Sequence, residues 1–171
     1  MKGFLFAALL LCLPTGLYAS GVSVGDAAPD VQLPSLEEGL PVSLASMSGK
    51  IVYVDFWASW CGPCRISFPQ LDQIRQDLGE RGFEVLAVNV DEDREDALQF
   101  LADVPVNYPV VYDGQGVTPR AYGILGMPTG YLIDRDGVVR DIHQGYKKSF
   151  GVNLRAAIEE LLGEEKIEIS H

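Results

Sequence analysis

Three features of this 171-residue chain predict an α/β fold, a central mixed β-sheet flanked by helices. Ile51-Val52-Tyr53-Val54-Asp55-Phe56-Trp57 is apolar, β-branched or aromatic at nearly every position, as a strand buried on both faces should be. Residues 64–81 follow with Ile66, Leu71, Ile74 and Leu78 at helical spacing, and 83–90 is a second apolar strand, which is the order of a parallel βαβ unit. Later, 129–133 and 137–142 are apolar runs joined by Asp134-Arg135-Asp136-Gly137, whose Asp-Gly step marks an antiparallel hairpin at one side of the sheet.

The remaining elements fall into place around these. Residues 1–19 read as a secretory signal: Lys2 supplies the positive start, 4–13 are continuously apolar, and Ala19 is a small residue for cleavage, with Gly21 a competing site. The apolar run is short for a bilayer span, and an uncleaved anchor reaching Tyr18 is the alternative. Cys12 lies inside that segment. Residues 22–163 form one domain. Its first part, 22–49, is rich in Gly, Pro and Ser and reads as an ordered lead-in in which Pro41-Val42-Ser43-Leu44 hints at a strand. Pro69 interrupts the 64–81 helix, where it removes a backbone donor and predicts a kink. Residues 94–102 read as a helix and 109–112 as a short strand, while 117–122 is too short to assign. A last helix, capped by Ser149 and stopped by Gly163, carries Leu154, Ala157, Ile158, Leu161 and Leu162 on one stripe. Residues 164–171 form a tail.

Composition excludes several function classes. The net charge of -11 repels polyphosphates and anionic headgroups, which argues against nucleic-acid binding and electrostatic membrane association. Three cysteines are too few for a disulfide-dense mini-protein, and no Cys/His cluster offers four zinc ligands. His143 reads as an outward residue on a late strand and His171 lies in the tail, so no ligand pair is expected. Asp91-Glu92-Asp93 with Arg94-Glu95-Asp96 suggests a cation site or a solvated helix start, lacks an oxygen-ligand spacing and is left unassigned, and Phe56, Tyr122 and Tyr131 read as core or groove residues.

Chemistry concentrates in Trp57-Ala58-Ser59-Trp60-Cys61-Gly62-Pro63-Cys64, a Cys-x-x-Cys pair between a buried strand and a helix. Cys61 lies just before the first helical turn, where unpaired N–H groups and the positive end of the dipole favour a thiolate. Cys64, inside that turn, faces the same way, so the sulfurs can meet without backbone rearrangement. A disulfide across so small a loop contributes little chain-entropy stabilisation, which argues against a purely structural staple. Asp55 is the second candidate. An acid in an apolar central strand is costly unless paired, and desolvation raises its pKa toward the range useful for acid/base work. The alternative is a core acid that is hydrogen-bonded or paired with Lys50 or Arg65.

The Trp57–Cys64 motif, together with Gly126-Met127-Pro128-Thr129, resembles the thioredoxin superfamily. The lead-in Gly25-Asp26-Ala27-Ala28-Pro29-Asp30, with Val42-Ser43-Leu44 and Gly49-Lys50, is similar to its secreted TlpA/ResA-like branch, and the extra helix and strand between Val90 and Ala121 resemble that branch's central insertion. The resemblance implies a thioredoxin fold and a monomeric extracytoplasmic thiol:disulfide oxidoreductase, periplasmic in a bacterium, that needs no bound cofactor or metal. Cys61 would attack and Cys64 resolve, with Asp55 handling the proton. A cis Met127–Pro128 bond would face Cys61, and Trp60, Met127 and Pro128 would bind client. Implied partners are client proteins with disulfides or thiols, such as apocytochromes c or copper-site proteins, and a membrane thiol-reductase donor. The branch commonly has Glu three residues after the second cysteine. Here that position is Ser67, and Asp55 stands where many members have Asn. The Gly-Pro dipeptide favours a reductant. The alternatives are a disulfide-forming oxidant and a Cu(I) carrier using the same two sulfurs.

Overall fold

The computed structural model describes residues 21–163. The expectations for the 1–19 signal, Cys12, the 164–171 tail and His171 lie outside the described residues. In the lead-in, β1 (Gln32–Leu33) pairs antiparallel with β2 (Val42–Ser43), and a 3-10 turn, Leu44–Met47, follows with Ser43 as its cap.

The predicted central strand is β3 (Ile51–Trp57), buried at all seven positions. The predicted helix is α1 (Cys64–Leu78), which contains Pro69. It ends three residues earlier than the periodicity suggests: Gly79, a weak helix former, starts a 3-10 turn, Gly79–Arg81. Next come β4 (Phe83–Asn89), α2 (Arg94–Asp103), β5 (Val110–Tyr112) and α3 (Val117–Tyr122). The hairpin strands are β6 (Thr129–Ile133) and β7 (Val139–Gln144), and the last helix is α4 (Phe150–Gly163).

The main sheet has the order β5-β4-β3-β6-β7. β3, β4 and β5 run parallel, while β6 and β7 are antiparallel, so the sheet is mixed as expected. Gly137, at φ 81, supplies the left-handed residue of the hairpin turn, and Asp134 accepts from the N–H groups of Asp136 and Val138. Strand β7 begins two residues later than its apolar pattern suggests. The pairing steps from Ile133–Val139 to Leu132–Asp141, so Arg140 is an extra residue and the side-chain alternation flips across it.

Strand alternation splits the core into two layers. Val52, Val54 and Phe56 face the lead-in with Val31, Met47, Tyr122 and Tyr131. Ile51, Tyr53 and Trp57 face the helices, with Phe68 and Leu71 of α1, Phe100 of α2 and Leu154 and Ile158 of α4. Phe56, Tyr122 and Tyr131 are therefore core residues: their rings meet at 4.8–6.2 Å, and Tyr122 and Tyr131 donate their hydroxyls to the carbonyls of Pro29 and Tyr122. On the helical side, Trp57 packs 4.8 Å from Phe68 and 4.7 Å from Phe100, which pins α1 and α2 to the end of β3. The β3–α1 loop is thereby fixed at both ends.

Candidate active site

That loop carries the cysteine pair. Cys61 and Cys64 are joined by a disulfide with an S–S distance of 2.01 Å and a Cα–Cα distance of 5.3 Å. Cys64 is the first residue of α1, and its backbone N–H donates to Cys61 Sγ at 3.3 Å. The same N–H also donates to the Cys61 carbonyl at 3.1 Å, so an amide at the head of the helix is shared between the carbonyl and the sulfur of the expected nucleophile. With the disulfide closed, Cys61 is 3% exposed and Cys64 fully covered, so Cys61 is accessible by an edge and is not the open residue its position suggests. Trp60 beside it is 70% exposed.

Asp91 holds the loop in place. Its carboxylate accepts from the N–H of Ser59 at 2.9 Å, the hydroxyl of Ser59 at 3.0 Å and the side-chain amide of Asn89 at 2.8 Å. At 3% exposure it is not part of a solvated helix start. The charge run 91–96 hides this role in the sequence. The available signal is its position directly after a buried strand that ends in Asn89.

Asp55 belongs to the row of β3 that faces α1, with Tyr53 and Trp57 on either side of it along the strand. It is 1% exposed, and burial pushes its pKa up to about 8. The ion pairs of the alternative reading form elsewhere: Lys50 meets Glu84 at 3.6 Å and Arg65 meets Asp103 at 3.5 Å. Ser67, where the resembling branch commonly has Glu, is buried, donates its hydroxyl to the Cys64 carbonyl at 3.3 Å and lines a small cavity with Asp55.

Met127–Pro128 is cis. Thr129 pairs with Phe56, so the Pro128 turn and the Cys61 loop lie at the same end of the sheet, and Pro128 lines the Asp55 cavity. Met127 is partly buried against both core layers, and the neighbouring Leu125 is 97% exposed. His143 departs from expectation. The extra residue at Arg140 turns it inward, where its ring meets Tyr53 at 5.9 Å and Phe150 at 5.6 Å. Among the described residues no group of three or more His, Cys, Asp or Glu is placed to hold a metal ion.

A Cys-x-x-Cys disulfide at the head of a helix on a thioredoxin fold defines a thiol:disulfide oxidoreductase, an enzyme of dithiol–disulfide exchange. The chain belongs to the Redoxin family, whose model matches residues 23–158. It is 37% identical over 125 residues to the thiol-disulfide oxidoreductase ResA of Oceanobacillus iheyensis, covering 71% of this chain and 65% of that protein. It is 34% identical over 151 residues to ResA of Geobacillus thermodenitrificans, covering 85% of this chain and 86% of that one. Among solved structures, a Chlorobium tepidum protein assigned as thiol:disulfide interchange protein DsbE is 45% identical with a TM-score of 0.80, over 84% of this chain and all of that one.

Proposed function

We propose that the protein reduces client disulfides outside the cytoplasm, with Cys61 as nucleophile, Cys64 as resolving thiol and Asp55 as the group that takes the Cys64 proton. The observation that carries this reading is the Cys64 amide aimed at Cys61 Sγ while a buried acid, whose Oδ2 has no hydrogen-bond partner among the described residues, faces α1 from β3. The Cys61 thiolate attacks a client disulfide and forms a mixed disulfide. Asp55 in its ionised form accepts the Cys64 proton, Cys64 attacks Cys61, and the client leaves as a dithiol. Exposed Trp60, with Met127 and Pro128 at the same end of the sheet, forms the surface on which an extended client segment lies. The protein works as a monomer, and residues 1–19 direct it to the periplasm. A membrane thiol-reductase returns it to the dithiol state, and its clients are thiol proteins of cytochrome c or copper-site maturation.

The test is trapping. A Cys64→Ser variant retains attack and loses resolution, so it should accumulate mixed disulfides through Cys61 with extracytoplasmic clients, separable on non-reducing gels and identifiable by mass spectrometry. Failure of this variant to form any mixed disulfide with a model disulfide substrate would remove the assignment.

A further inference from the structure

We infer that His143 is the proton outlet of Asp55, connected to it by one water in the small cavity that both residues line, and so is a positioning residue for the reaction. The inference rests on the reading of Asp55 as the acid/base group. Its basis is the sheet register. Asp55 pairs with Gly130 and Gly130 pairs with His143, so the three form one row across β3, β6 and β7 on the face toward α1. With strands about 4.8 Å apart, the backbones of Asp55 and His143 stand roughly 10 Å apart. Gly130 contributes no side chain of its own, and the Tyr53 hydroxyl occupies the space directly over it.

Beside that hydroxyl is a cavity of about 10 Å³, lined by Tyr53, Asp55, Ser67, Pro128, His143 and Tyr146. That is about the room one water needs. Tyr53 reaches over the same glycine, since a Cβ at Gly130 would lie 2.0 Å from its hydroxyl. Asp55 Oδ2 and His143 Nδ1 are both buried without a protein hydrogen-bond partner among the described residues. Buried polar atoms are rarely left so, and one bridging water satisfies both.

The far side of the imidazole leads outward. His143 Nε2 lies 3.5 Å from Asp141 Oδ2, whose side chain is 45% exposed. A hydrogen on Nε2 toward that carboxylate leaves Nδ1 as the acceptor inside. The titratable groups around the ring are Tyr53 and Asp55 on β3, Asp141 on β7, and Tyr146 and Lys147 after it, with Phe150 of α4 packed on its edge. Burial, and then Lys147, lower the His143 pKa against the opposing pull of Asp141, so the ring is neutral near pH 7 and free to accept.

The transfer balances. With Asp55 ionised at the start, the Cys64 S–H proton passes to its Oδ2 as the Cys64 sulfur attacks Cys61. The Cys61–client bond breaks, and the client sulfur leaves as a thiolate that takes a proton from solvent. Asp55 gives its proton to the water, the water gives one to Nδ1, and Nε2 releases one to solvent beside Asp141. The two electrons gained by the client disulfide come from the dithiol.

The experiment compares single-turnover reduction of a model disulfide by the reduced wild-type, Asp55→Asn, His143→Gln and double variants across pH 5–9. His143→Gln should slow resolution about tenfold near pH 7 and flatten the pH profile, and the double variant should be no slower than Asp55→Asn alone. Should His143→Gln follow the wild-type profile, or fall uniformly at every pH with a lowered Tm, while Asp55→Asn loses the pH dependence, the outlet is overturned and the role of Asp55 stands. Should Asp55→Asn keep the wild-type profile, both fall. Nitrogen-15 NMR of the imidazole keeps the test independent of His143 variants: the His143 titration should move when Asp55 becomes Asn, and an unmoved titration overturns the connection.

Discussion

The backbone N–H of Cys64 donates to the sulfur of Cys61 at 3.3 Å, so one residue of the pair holds the other by its main chain while offering its own sulfur for resolution. In the reduced protein the same amide and the head of α1 favour a Cys61 thiolate, while Cys64 is fully covered and among the described residues has no comparable donor aimed at its sulfur. Brief iodoacetamide treatment near neutral pH should therefore label Cys61 at least tenfold faster than Cys64, read by peptide mass spectrometry. Preferential labelling of Cys64 would contradict the assignment.

Asp55 also sets a pH dependence of stability. Its native pKa of about 8 lies above the ordinary carboxylate value, so the native state holds a proton that the unfolded chain releases. Below about pH 4 both states are protonated and nothing is lost. Stability then falls as pH rises toward 8 and levels off above it. Asp55→Asn should thus be neutral near pH 4 and stabilising by roughly 2–4 kcal/mol at pH 8, measured by denaturant unfolding at both pH values. An equal effect at the two would show that the carboxyl is not held protonated.

Asp91→Ala should loosen the active-site loop. It strips partners from the N–H and hydroxyl of Ser59 and from Asn89, a loss of about 2–3 kcal/mol. The rate of client reduction should fall with it, while Asp91→Asn, which keeps one carbonyl acceptor, should lose less of both. Unchanged stability in the Ala variant would mean that the loop is held by other contacts.

Gly130→Ala places a methyl 2.0 Å from the Tyr53 hydroxyl and 2.2 Å from its ring carbon. The ring is buried and packed against His143 and Phe150, so the variant should lose about 1–3 kcal/mol in a denaturant titration. A midpoint equal to wild type would show that the ring swings away freely.

What the sequence disclosed, and what it hid, follows from range. β3, the Cys61–Cys64 pair, the βαβ unit and the Asp-Gly hairpin were legible because each is written in local periodicity or in a short motif. The inward turn of His143 was not. It depends on one extra residue, Arg140, in the β6–β7 pairing, and a bulge that flips alternation is set by the partner strand. Asp91 was hidden for a similar reason: a carboxylate buried by a loop 32 residues earlier looks, in its own neighbourhood, like part of an acidic run. The lead-in could be read as ordered, but its packing of Val31 and Met47 on the even row of β3 is a tertiary fact without a local signature.

The midpoint potential of the Cys61–Cys64 couple tests the central claim, that this pair donates electrons to client disulfides, most directly. Equilibration of the protein with a glutathione or dithiothreitol redox buffer, followed by thiol alkylation, gives the value. A reductant with the Gly-Pro dipeptide should lie nearer the thioredoxin value of about −270 mV than the DsbA value of about −120 mV. A potential near −120 mV would make the pair an oxidant and contradict the direction proposed here.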